Sequence, residues 1–139
     1  MSGEHDLDTL LRSLTATLVD GVHVFATVPP GAVPAALAPR MTFAEAEGTT
    51  LILLRDEAVA HGIAHEFPCR MITLDVHSSL EAVGFIARIA TELARHGMGV
   101  NPVSGFHHDH LFVPEGREED ALRILADIAA SASPPRTDI

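Results

Sequence analysis

Tryptophan and tyrosine are absent, and six phenylalanines supply all the aromatic area of this 139-residue chain. Platforms for stacking bases are therefore scarce, which argues against a single-stranded nucleic-acid binder. Basic residues are few: nine Lys and Arg stand against nineteen Asp and Glu, a formal net charge of −10 at pH 7. That balance repels phosphate backbones and acidic lipid surfaces, so neither nucleic acid nor membrane is an expected partner. A single cysteine, Cys69, excludes an internal disulfide and a cysteine-based zinc cage within one chain. Beside Pro68 it reads as a small core or loop residue, because nothing in the sequence lowers the pKa of a thiol there. No apolar run approaches the roughly 18 residues of a membrane span, and the opening MSGEHDLD is acidic and lacks the apolar core of a secretory signal. A cytoplasmic location is the default.

What is present is 47% hydrophobic residues, broken by charges at helical spacing, enough for one ordinary domain or two small units sharing a sheet. Leu7, Leu10, Leu11, Leu14 and Leu18 repeat at three and four, which predicts a helix over Asp8 to Leu18, stopped by Asp20-Gly21. Val22 to Val28 reads as a strand ended by Pro29-Pro30-Gly31, with a short helix at Val33 to Leu37. The runs around Thr42 and Thr50 to Leu54 flank Glu47-Gly48, a hairpin turn in which glycine takes a positive φ. Asp56 is placed to cap a short helix ending near Gly62, and Ile63 to Phe67 adds an edge strand.

The second half is written more clearly. Ile72, Leu74 and Val76 alternate with Thr73, Asp75 and His77, as in a strand covered on one face. Ser78 and Glu81 have the spacing of a capping box that opens a helix with Leu80, Val83, Ala87, Ala90, Leu93 and Ala94 on its core face, and Gly97 stops it. Gly99 to Phe106 and His110 to Val113 are two strands joined at His107-His108-Asp109, and Glu118 to Ala130 is an amphipathic helix. The order is the front of a βαββαβ unit whose last strand is missing, so that edge is supplied either by the first half or by a partner chain.

Met71-Ile72-Thr73-Leu74, the run from His77-Ser78-Ser79-Leu80-Glu81 to Gly84, and His108-Asp109-His110-Leu111-Phe112-Val113 together resemble a group of small bacterial ACT-domain proteins of undefined function. Asp8-Thr9-Leu10-Leu11 and the segment from Glu47 to Leu54 are similar to that group's N-terminal half. The resemblance implies an α+β fold of two ferredoxin-like units in tandem, with antiparallel sheets and helices on one face. It implies an N-terminal unit with a leading helix at 1–68, a second unit at 69–131 and a flexible tail at 132–139. It also implies binding of an amino acid or related metabolite. In ACT domains the first strand-to-helix loop and the start of the second strand frame the ligand; here these are Ser78, Ser79, Leu80 and Glu81, then Asn101, Val103 and Ser104. The usual glycine or proline of that loop is replaced by Ser78-Ser79, and no catalytic domain accompanies the module.

The chemistry of the residues allows this and its rivals. Backbone N–H groups at a helix start, the helix dipole and two hydroxyls at Ser78-Ser79 suit a carboxylate, although capping alone also accounts for both serines and Glu81. Asn101 offers donor and acceptor to a ligand, or satisfies an edge strand. His107, His108, Asp109 and His110 carry metal-ligand chemistry, but consecutive residues splay around a turn, and His77 or His23 would have to join them; hydrogen-bonded turn histidines are the alternative. Asp75 and His77 are the nearest approach to a catalytic pair, and no nucleophile elbow, phosphate loop or H-E-x-x-H motif is present. The expectation is a non-catalytic regulatory module without a cofactor or metal, binding an amino-acid-like molecule and forming a homodimer. The alternatives are an interaction module without a ligand and a His-cluster metal-binding protein.

Overall fold

The computed structural model describes residues 3–132, so of the expected tail only Ala132 lies within the described residues. The elements are α1 (Leu7–Arg12), β1 (Ala16–Val28), β2 (Met41–Ala44), β3 (Thr49–Leu54), α2 (Arg55–Ala60), β4 (Glu66–Leu74), α3 (Phe85–Arg95), β5 (Asn101–Ser104), β6 (Asp109–Pro114) and α4 (Glu118–Ser131). They form two compact units. The inner one is Asp20–Arg70, and the outer one comprises the described residues of Met1–Val19 and Met71–Ile139. Both long strands, β1 and β4, cross that division, so each serves both units.

In the inner unit the strand order is β2-β3-β1-β4. The antiparallel β1/β3 pair sets Val24 against Leu53 and Ala26 against Leu51, and these four side chains form the core with Leu37 and Ala58. The expected helix at Val33 to Leu37 is absent. Its residues form a turn in which the Leu37 N–H donates to the Pro34 carbonyl, since the prolines at 34 and 39 supply no donors to a helical ladder. Leu37 is nonetheless buried and plugs the core. The hairpin forms where expected, closed by the Glu45 N–H on the Gly48 carbonyl at 2.9 Å, but Gly48 is not among the positive-φ residues. It is needed for space: a Cβ there would stand 2.7 Å from the Val28 carbonyl oxygen. Leu54, not Asp56, caps α2. The strand expected at Ile63 to Phe67 is not separate: β4 starts at Glu66 and runs through Pro68 to Leu74.

In the outer unit the order is β1-β4-β6-β5. The start of β1 therefore fills the position of the fourth strand in the βαββαβ unit, and the edge missing from the second half is supplied by the first. Hence α1 is shorter than its leucine repeat suggests. It ends at Arg12 with Ser13 as C-cap, and Leu18 lies in β1 among the β-branched Thr17 and Val19. At its other end Asp6 caps α1, accepting from the N–H and hydroxyl of Thr9.

Ile72, Leu74 and Val76 all join the outer core, while Thr73 and Asp75 bond to His110 and Thr17 respectively. The helix that follows departs from expectation. It begins at Phe85, with Gly84 at φ 94° as N-cap, and Ser78 caps nothing. Its buried face is Phe85, Ile89 and Leu93, each worth about 1.5–3 kcal/mol of burial. Leu80 and Val83, expected in the core, are 66% and 83% exposed. They precede the helix and lie in the loop. The helices α1, α3 and α4 pack against one another, and Ile124 joins Ala121, Leu125 and Ile128 on the buried face of α4. Among the described residues no helix is long and apolar enough to cross a membrane.

Candidate functional site

The loop between β4 and α3 is fixed by a strand-like contact with the chain start. Glu4 bridges Ser78 in parallel: the Glu4 N–H donates to the His77 carbonyl and the Ser79 N–H to the Glu4 carbonyl, each at 2.8 Å. Gly3 permits the approach, because a Cβ at that position would lie 2.7 Å from the Ser79 nitrogen. The Ser78 N–H donates to the Val76 carbonyl, and the Ser79 hydroxyl accepts from the Glu81 N–H at 3.1 Å. The backbone donors of Ser78 and Ser79 are thus engaged within the protein. They do not form the open anion cradle that a helix start at Ser78 would provide.

The polar centre of the site is Asp109, at the head of β6 and only 5% exposed. Its carboxylate accepts the Ser78 hydroxyl at 2.9 Å and the Ser104 hydroxyl at 2.5 Å. These bonds tie the β4–α3 loop, the end of β5 and the start of β6 together. Above them opens a cleft of about 230 Å³ whose wall includes Ser78, Ser79, Leu80, Ser104 and Asp109 with Phe85, Ile86 and Ala87 of the first turn of α3. The first N–H groups of a helix have no carbonyl partner within it, and Gly84 offers no side chain to cap them. The cleft therefore presents an acceptor in Asp109 and donors at the start of α3.

Of the residues expected from the sequence, Ser78, Ser79, Leu80 and Ser104 come together here. Glu81, Asn101 and Val103 are not part of the wall: Glu81 and Asn101 are exposed, and Val103 is half-buried opposite His110. The sequence reading missed Asp109 as a centre, although its place at a strand head among histidines marked it as chemically capable. It also missed the first turn of α3, for which Gly84 ahead of an apolar Phe-Ile-x-x-Ile repeat was the available signal.

The histidines lie apart from this arrangement. The His77 ring is 5.7 Å from His107 and 6.5 Å from His108, centroid to centroid, and the His110 Nδ1 lies 3.0 Å from the Thr73 hydroxyl. Among the described residues no three His, Cys, Asp or Glu side chains form a group able to hold a metal ion. Asp75 accepts from the Thr17 hydroxyl at 2.6 Å. In the inner unit the buried Cys69 thiol donates to the His23 carbonyl, and burial pushes its pKa up to about 12, so it is no ready nucleophile.

Two ferredoxin-like units, one with a cleft where a strand gives way to a helix, define a class of small ligand-responsive modules. Residues 2–70 and residues 66–127 each match an ACT domain. The chain belongs to the ACT-domain family, with two such domains in tandem. A solved Vibrio cholerae protein of unknown function, described as a possible transport protein, is 42% identical over 88% of this chain and 95% of its own, with a TM-score of 0.80. An Agrobacterium tumefaciens protein is similar in fold, at 18% identity and TM-score 0.71, over 84% of this chain and 89% of its own. So is the regulatory subunit of aspartate kinase from Thermus flavus, at 12% identity and TM-score 0.58, over 82% of this chain and 96% of its own. No curated protein matches the chain.

Proposed function

We propose that this protein is a non-catalytic cytoplasmic regulatory module that binds a free amino acid, or a metabolite with the same zwitterionic end, in the cleft of the outer unit. The observation that carries the reading is the pairing of opposite polarities in one cleft, the Asp109 carboxylate and the open first turn of α3. An ammonium group suits the acceptor, and a carboxylate suits N–H groups at the positive end of a helix dipole. Ser78 and Ser104 hold Asp109 in place, and the exposed Leu80 provides an apolar flank for a side chain. The ACT-domain family and the likeness to an aspartate kinase regulatory subunit support a regulatory role. Binding acts by favouring one conformation, or a homodimer, through its difference in affinity between states.

Thermal-shift screening of the twenty amino acids tests this. A ligand at about 100 times its Kd adds roughly 2.7 kcal/mol to stability, so one compound should raise the melting temperature in a dose-dependent way. Asp109→Asn should abolish that rise. No response from any amino acid would refute the reading. It would favour instead an interaction module, whose supporting observation is the exposure of Leu80, Val83 and Phe106. Light scattering that finds only monomer with and without ligand would remove the homodimer.

A further inference from the structure

Among the described residues that line the outer unit's cleft, Asp109 alone carries an ionisable side chain. The rest of the wall is serine, glycine and the apolar side chains of Leu80, Ala82, Phe85, Ile86 and Ala87. Glu81 is exposed and lies outside the wall. Arg88, the first basic residue of α3, lines a separate cleft with Glu92 of the same helix and Asp127 of α4. No basic side chain of the described residues therefore shares the wall with Asp109.

The polar groups present match the two ends common to every amino acid and leave none for a charged side chain. Each Asp109 oxygen accepts one serine hydroxyl. A carboxylate has about four acceptor sites, so capacity for one ammonium group remains. The Arg88 N–H makes the first bond within α3, to the Gly84 carbonyl at 2.9 Å, so the N–H groups of Phe85, Ile86 and Ala87 come before the helical ladder and suit one α-carboxylate. A second carboxylate, on the ligand's side chain, would stand near Asp109 without a basic partner, where like charges beside an apolar wall repel. A side-chain ammonium or guanidinium would find only Asp109, which the α-ammonium already holds. An aliphatic side chain instead meets Leu80, Ile86 and Ala87, and each CH₂ it buries is worth roughly fourfold in affinity.

We propose that the outer unit's cleft selects amino acids with an uncharged aliphatic side chain, and that Leu80 is the residue that sets the preference. This selectivity rests on the amino-acid reading of the same cleft and narrows the class of ligand.

The test is isothermal titration calorimetry of the full-length protein with glycine, alanine, valine, leucine, phenylalanine, aspartate, glutamate and lysine, at constant pH and ionic strength. Affinity should rise through the aliphatic series, and the three charged amino acids should bind at least about tenfold more weakly than leucine. Leu80→Arg, at a position 66% exposed, puts a guanidinium on the apolar flank and should reverse the order in favour of aspartate and glutamate. A charged or aromatic amino acid that binds as tightly as leucine would overturn the selectivity while leaving the amino-acid reading in place. An order unchanged in Leu80→Arg would overturn it equally. Silence from all of them, with no melting-temperature response to any of the twenty amino acids, would refute the amino-acid reading itself and the selectivity with it.

Discussion

Asp109 accepts two hydroxyls that both come from earlier in the chain, Ser104 five residues before and Ser78 thirty-one before. Replacing it by alanine leaves the half-buried Ser78 hydroxyl without its acceptor, while the exposed Ser104 hydroxyl turns to water, so Asp109→Ala should cost about 1–3 kcal/mol and Ser104→Ala about 1 kcal/mol or less. Urea unfolding of the three proteins measures the difference. His23 contributes a pH dependence. Burial, with the charges of Arg40 and Arg70, holds its pKa below the ordinary histidine value. The unfolded chain therefore takes up a proton near pH 6.5 that the folded chain refuses until the pH is lower. The stability linked to this group is complete above that pH and is lost as the pH falls below it. Unfolding at about pH 7.5 and about pH 5.5 should show the loss, and His23→Gln should reduce it. At this scale the sequence displayed the right atoms without their partners. Asp109 was visible as a possible metal ligand among histidines, but one of the two hydroxyls that claim it, that of Ser78, lies on the distant connection between β4 and α3.

The element that decides the site is α3, and its start depends on a backbone conformation. Gly84 sits at φ 94°, a region that costs a residue with a Cβ roughly 1–2 kcal/mol. Gly84→Ala should therefore destabilise by about that much and shift the first turn of α3, with amide NMR changes concentrated at Phe85, Ile86 and Ala87. The strand before it was fully legible, because the alternation of Ile72, Leu74 and Val76 reports a face directly. The helix start was not. Ser78 and Glu81 have capping-box spacing, but Glu4 from the chain start holds Ser78 in an extended bridge and Asp109 takes its hydroxyl. The same cause shortened α1, whose leucine repeat continues into β1 because Leu18 packs with the same core from a strand. A local pattern reports the buried face of a strand directly, but where distant partners decide a helix start it fails for the helix face: of the residues expected in the core there, Leu80, Val83, Ala87 and Ala94 are exposed.

For the whole molecule, the fold family and the tandem arrangement were readable, since the βαββ order and the motifs around Ser78 and His108 survive intact in one stretch. The exchange of strands was only half readable: the sequence showed that an edge was missing and left two suppliers open. The answer carries a prediction about fragments. A peptide of residues 71–132 lacks both α1 and the start of β1, and should be unfolded by circular dichroism. The same peptide followed by a flexible linker and residues 3–19 should fold cooperatively. If the shorter fragment folded as well as the fused one, residues 3–19 would not be integral to the outer unit.

The same exchange sets a timetable for the chain as it is made. The inner unit has all its own strands once Arg70 has left the ribosome. Leu10, Leu11 and Leu14, however, belong to a core completed by Ile124, Leu125 and Ile128. At roughly 5–20 residues per second they wait on the order of ten seconds for those partners. During that interval the leading leucines, rather than any part of the finished surface, are what a nascent-chain chaperone would meet.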